Sequence, residues 1–162
     1  MKLKQSPPHQ PTDLVIDSVL AASRVLVAVA ARSLSDIADE VTLAQYRTLI
    51  VLASRGPQNL AGLAEAVGVT PATATRMCDR LVKKDLIARR AEQGDRRHVH
   101  LDLTKKGLAL VTSVTQRRRR EIEQIVNAIS PEERPVIVEA LSRFAAAAGE
   151  VPEQDWSMGW DL

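Results

Sequence analysis

Aromatic residues are scarce in this chain. They make up 2% of it, and they are Tyr46, Phe144, Trp156 and Trp160. Single-stranded nucleic acid is usually gripped by stacking bases on aromatic rings. None of the four lies in the basic region described below, so that binding mode is not expected. Cysteine is scarcer still, with Cys78 alone. One cysteine excludes a disulfide framework and fits a reducing, cytoplasmic compartment. Net charge is small: 22 Lys and Arg against 20 Asp and Glu leave +2. Any attraction for nucleic acid must therefore come from how charge is distributed. No apolar run follows Lys2 and Lys4, so no secretory leader is expected. There is no internal repeat. Paired carboxylates, a nucleophile–base pair and a phosphate-cradling glycine loop are all missing, so an enzyme is not expected, and no cofactor is implied.

What is present is a chain of 162 residues, 45% hydrophobic and 26% charged, enough for one domain or two that share a core. Its most apolar run, Leu14 to Ala31, raises the question of a membrane. Asp17, Ser18, Ser23 and Arg24 interrupt that run, and charge at mid-span is costly in lipid. It reads instead as a soluble helix, buried or dimer-forming, from Asp13 to about Ser35. Thr12 or Asp13 caps it, and its all-round apolar surface predicts burial of more than one face.

Further helices are predicted from about Leu43 to Ser54 behind a Thr42 cap, and from just after Asn59 to near Val67-Gly68. Another runs from Pro71 to about Lys84. Asp85 to Leu103 reads as two strands around a polar turn. A fifth helix follows Thr104 to about Ile129. Ser130-Pro131-Glu132-Glu133 then predicts a restart, with Ser130 as cap and Pro131 in the first turn, leading to near Gly149. The expected fold is mainly α with a small β-hairpin. It divides into a helical frame (12–40 and 105–149), a reading head (41–104) and an acidic tail (150–162).

The reading head carries the strongest signal. Leu63, Val67, Val69, Ala74 and Met77 are spaced to close two short helices into one small core. Ala64 is small at the crossing, and Gly68 falls where the chain must turn sharply. This is the pattern of a helix-turn-helix. The second helix is capped by Thr70 and opened by Pro71, and its N-terminal N–H groups suit a phosphate. Ala74, Met77, Cys78 and Leu81 form an inward stripe. The other face offers Ala72, Thr73, Thr75, Arg76, Asp79 and Arg80, short at the start and then long and basic. Such a face fits a major groove about 12 Å wide, where Thr can meet a thymine methyl and Arg can fork onto guanine.

The following strands predict a wing. Val99, Leu101 and Leu103 alternate inward, while His98, His100 and Asp102 point out. The tip, Asp95-Arg96-Arg97, is held clear of the core, where arginines reach a narrow minor groove. Between Leu60 and Lys106 there are ten basic and six acidic residues, a net +4 that leaves −2 for the rest. Positive charge thus gathers where DNA would lie. Asp95 is the exception among these cations. It reads as a residue that holds the turn or orients Arg97.

The run Thr73–Leu81, Leu86-Ile87, Asp95-Arg96-Arg97, Thr104 and Gly107 resembles the signature of the MarR family of winged helix-turn-helix regulators. The resemblance extends from about Asp13 to Gly149. It implies a cytoplasmic homodimer, with the first, fifth and sixth helices as the dimer frame and the fourth as recognition helix. It further implies a repressor of a near-palindromic double-stranded operator, released by small phenolic or lipophilic ligands. By the same match, Arg97 enters the minor groove beside Arg96 and His98, and Asp95 supports it.

Other features read more plainly. Cys78 lies on the inward stripe and is expected to be packing rather than a redox sensor. His98, His100 and Asp102 share a strand face, but that spacing alone is a weak zinc signal, and no metal site is expected. Arg117 to Arg120 fan around a helix and predict salt bridges to Glu121, Glu123 or Glu133. An effector pocket, expected from the resemblance, has Arg24, Tyr46 and Arg47 as candidate polar groups. The few aromatics point to an aliphatic lining rather than a stacked flat ligand. The alternative to an operator-specific regulator is a winged-helix architectural or protein-interaction module; Thr73, Thr75, Arg76 and Arg80 disfavour it.

Overall fold

A computed structural model describes residues 11–37, 41–92 and 95–157, with the side chains of Asp36 and 91–98 left out of the description. The elements run α1 (Pro11–Leu34), a single 3-10 turn (Ser35–Ile37), α2 (Leu43–Arg55), α3 (Leu60–Val67) and α4 (Pro71–Lys83). Strands β1 (Ile87–Glu92) and β2 (Asp95–Leu103) follow, then α5 (Lys105–Asn127), α6 (Arg134–Ala147) and a short turn at Glu153–Asp155. The architecture is mainly helical with one antiparallel hairpin.

Local chemistry explains where these helices begin. Thr42 Oγ1 accepts from the Gln45 N–H, and Gln45 Oε1 accepts from the Thr42 N–H, a reciprocal capping box. Asn59, Thr70 and Thr104 each accept from the N–H three residues on, at Gly62, Thr73 and Gly107. Each such cap is worth about 1 kcal/mol. The turn between α3 and α4 is closed by Gly68, which is left-handed at φ +74°. Its N–H bonds Glu65 O while Val69 N–H bonds Ala64 O, so the freed carbonyls of α3 are satisfied. A side chain would strain Gly68 in this conformation.

The core gathers Leu49 and Leu52 from α2, Leu63 from α3, Leu81 from α4, Ile87 and Leu103 from the hairpin, and Val111 and Val114 from α5. The hairpin base is fastened firmly. Ile87 pairs with Leu103, and Gln58 exchanges two backbone hydrogen bonds with Leu101. Thr104 Oγ1 donates to Asp85 O, and Lys106 Nζ donates to Lys84 O. Gly107 is pressed against this junction: a Cβ there would overlap the Leu86 carbonyl oxygen.

Three expectations need correction. Along α1, only Val29, Ser33 and Leu34 are buried, whereas its apolar composition predicted burial of more than one face. Composition cannot tell a face that its own chain covers from one left for another molecule. Val99 is 44% exposed rather than inward. It pairs with Ala91, beyond the part of the hairpin that Leu101 and Leu103 pack on the helices. The α-helical part of the sixth helix starts at Arg134, not at Pro131. Ser130 Oγ donates to the Glu133 carboxylate at 2.6 Å, so both side chains that should have capped the helix bond each other.

Candidate nucleic-acid interface

The fourth helix presents its faces as the periodicity predicts. Ala74, Met77, Cys78 and Leu81 are buried, and Pro71, Ala72, Arg76 and Arg80 are exposed. Thr70 lies exposed at its start, and Thr73 and Thr75 are half-buried. Thr70 Oγ1 donates to Thr73 Oγ1 at 3.0 Å, which leaves the Thr73 hydroxyl hydrogen available to an outside acceptor. Thr75 Oγ1 donates back to Pro71 O at 2.9 Å. That oxygen is therefore left as an acceptor beside its methyl group. Arg76 and Arg80 share one side of an open groove with Thr73, facing Thr42 and Gln45 at the start of α2. Among the described residues neither arginine is held in an ion pair.

Asp79, the one carboxylate on this face, is taken by Arg89 on β1 at 2.5 Å. Its charge is thereby offset, and α4 is tied to the stem of the hairpin. Beside it, Arg90 pairs with Asp102 across the strands at 3.3 Å. Helical spacing puts Asp79 on the outer face, but nothing local in the sequence links it to Arg89. Cys78 is fully buried, and burial pushes its thiol above the ordinary value, away from the reactive thiolate. The backbone of residues 95–98 belongs to β2. The side chains of Asp95, Arg96, Arg97 and His98 lie outside the described residues, and so does the expected support of Arg97 by Asp95.

A second feature is a cavity of about 580 Å³ between α1, α2, α5 and the segment after α6. Leu26, Val27 and Ala30 supply its apolar side. Tyr46 and Arg47, both named from the sequence, line it; Arg24 does not, and lies exposed on α1. Two of the four aromatics, Tyr46 and Trp156, meet here, so the aliphatic lining expected from the sequence is joined by two rings. Tyr46 is 3% exposed, with its hydroxyl 3.3 Å from Thr115 Oγ1, and burial raises its pKa. Arg118 also lines the cavity, and its Nε is buried without a hydrogen-bond partner among the described residues. Of the four-arginine run, Arg119 pairs with Glu153, not with the nearby glutamates the sequence suggested. Glu121 pairs instead with Arg32 of α1.

The comparisons with known proteins agree with this geometry. The model of the MarR family matches residues 41–99, which hold α2 to the wing. The transcriptional repressor MdtR of Bacillus subtilis is 31% identical over 74% of this chain and 77% of its own length. The chain belongs to the MarR family. Members of this family are DNA-binding transcriptional regulators and not enzymes, and the protein is one of these regulators. RV1404 of Mycobacterium tuberculosis is 42% identical, with a TM-score of 0.80 over 89% of this chain and 98% of that one. BpsR of Bordetella bronchiseptica, whose DNA binding is regulated by 6-hydroxynicotinic acid, is 26% identical with a TM-score of 0.63. It matches 86% of this chain and 98% of its own. The MarR winged helix accounts for the pairing of a groove-sized helix with a basic hairpin.

Proposed function

We propose that the protein is a dimeric, ligand-responsive, cytoplasmic repressor that binds a near-palindromic operator. The observation that carries this reading is the outer face of α4, where Arg76 and Arg80 stand exposed beside Thr73 and Thr75 and, among the described residues, outside any ion pair. In the major groove these arginines fork onto guanine, and the threonines sort thymine methyl groups from other base edges. Thr70, Pro71 and Ala72 form the start of the helix, where short residues allow close approach and free N–H groups meet a phosphate. Arg96, Arg97 and His98 then occupy the flanking minor groove, with Asp95 as the support of Arg97.

The partner for the frame is a second copy of the chain. Leu14, Val15, Ile16 and Leu20 on α1 are exposed, as are Val136, Val138, Leu141 and Phe144 on α6. These faces stand at the two ends of the chain, and together they exceed the scattered apolar exposure of a monomer surface. By length and composition α1 could also cross a membrane. Asp17 and Arg24 within it, and the Arg32–Glu121 pair that ties it to α5, favour a protein partner. A two-fold dimer sets two α4 helices about 34 Å apart, one turn of DNA. The cavity beside Tyr46 is the effector site, by analogy with the regulation of BpsR by a small hydroxylated aromatic acid. Selection of bound fragments from the source genome tests the whole reading. It predicts a few strongly enriched sites with two similar half-sites. Even enrichment across the genome would instead indicate a module without an operator.

A further inference from the structure

The segment after α6 doubles back across the fold. Arg55 donates to Gly149 O at 3.1 Å. Arg47 clasps Glu150 through both terminal nitrogens, at 3.0 and 2.6 Å. Arg119 of α5 reaches Glu153 at 2.7 Å. Trp156 is 8% exposed and joins the main core, its Nε1 donating to Val151 O. Ser157 ends the contact with two hydrogen bonds to α2, from its N–H to Ser54 O and from its hydroxyl to Ala53 O.

Two aspects go beyond ordinary packing. First, the carboxylates of Glu150 and Glu153 are spent on Arg47 and Arg119, both of which line the cavity. The cationic side of the cavity is thus largely neutralised by the chain's own tail, while Arg118 Nε has no partner among the described residues. Second, the segment is anchored mainly on α2, and α2 also carries the recognition helix. Thr48 of α2 and Met77 of α4 meet at 3.7 Å, with both side chains buried. The element that feels the tail is the element that seats α4.

We infer that residues 150–157 form a strap that stands in for an anionic ligand: its carboxylates hold the cavity arginines, and an anion with an apolar body entering the cavity displaces it. The inference rests on the reading of this cavity as the effector site. Displacement removes hydrogen bonds from one side of α2 and so loosens the seat of α4.

The test uses the full chain carrying Trp160→Phe, which leaves Trp156 as its only tryptophan. The comparison chain adds Glu150→Gln and Glu153→Gln, which keep side-chain shape and remove charge. Both sites are partly exposed, and thermal melts check that both chains fold. Decanoate is the probe, decanol its uncharged control, and acrylamide quenching of Trp156 reports the strap. In the first chain, decanoate should raise Trp156 quenching severalfold. The double charge variant should bind decanoate about three- to tenfold tighter, as the loss of two half-exposed pairs allows. Decanol should not distinguish the two chains. Equal decanoate affinity in both chains, with Trp156 quenching unmoved at saturation, overturns the strap. Decanoate binding to neither chain overturns the effector reading instead, and ligand-free quenching then decides the strap. A rise in the charge variant keeps the strap closed by those pairs; no rise overturns it.

Discussion

Replacing Arg76 by alanine separates base reading from mere attraction to DNA. Arg76 is exposed on α4 and holds no partner in an ion pair among the described residues. Its truncation strands no buried charge and opens no cavity, so the fold should change by less than about 0.5 kcal/mol. The cost on the operator is different. A bidentate contact to a base is worth about 1–3 kcal/mol, which is about fivefold to 150-fold in affinity per half-site. The loss should fall on one or two base pairs in each half-site, where the variant should tolerate substitutions that the parent rejects. Arg97→Ala gives the contrast. A wing arginine in the degenerate minor groove should weaken binding to most sequences. It should also reduce the slope of log affinity against log salt by about 0.9 per subunit. Fluorescence anisotropy on the selected operator and its single-base variants, at several salt concentrations, measures both. If Arg76→Ala weakens every sequence alike and changes the salt slope as Arg97→Ala does, Arg76 touches phosphate, and the assignment of the reading face is wrong.

Other consequences follow from particular contacts. Gly107→Ala pushes a methyl group into the Leu86 carbonyl oxygen and should destabilise the fold by about 2 kcal/mol or more, seen in chemical denaturation. An unchanged midpoint would mean that α5 can move off the wing base at no cost. Hydrogen bonds from Arg47 hold the Glu150 carboxyl below its ordinary value of 4.5. Its contribution is therefore fully present above pH 4.5, the unfolded value, and is lost as pH falls through the lower folded value. At this exposure it should be about 0.2–1 kcal/mol. The melting gap between the parent chain and Glu150→Gln should be constant near neutrality and close in acid; a gap that widens in acid has the wrong sign. Cys78→Ser should leave the response of the DNA complex to peroxide unchanged, because a buried thiol of raised pKa is a poor nucleophile. Peroxide release that disappears in this variant would make Cys78 a sensor.

The parts legible from sequence were those with local causes. Thr42, Asn59, Thr70 and Thr104 each satisfy a donor three residues away, so their helix starts can be read from a few letters. The buried stripe Ala74, Met77, Cys78 and Leu81 follows from helical spacing on a strongly amphipathic segment. Ser130 misled because Glu133 bonded its hydroxyl rather than the backbone, an outcome the same four letters permit either way. The cavity was only half legible, since Tyr46, Arg118 and Trp156 converge from distant segments. Trp156 carried one usable signal: a tryptophan is costly to leave in water, and this one folds back into the core. Asp79 and Arg89 show the same limit, since their pairing exists only once the hairpin lies beside α4.

In the proposed complex, two copies of α4 read two half-sites from the major groove. Dimethyl sulfate interference tests this on the selected operator, because methylation falls on guanine N7 in the major groove and adenine N3 in the minor groove. Two clusters of guanine N7 interference are expected about 10 base pairs apart on one face of the duplex, with adenine N3 interference only on their flanks. A single cluster, or interference confined to adenine N3, would contradict this arrangement.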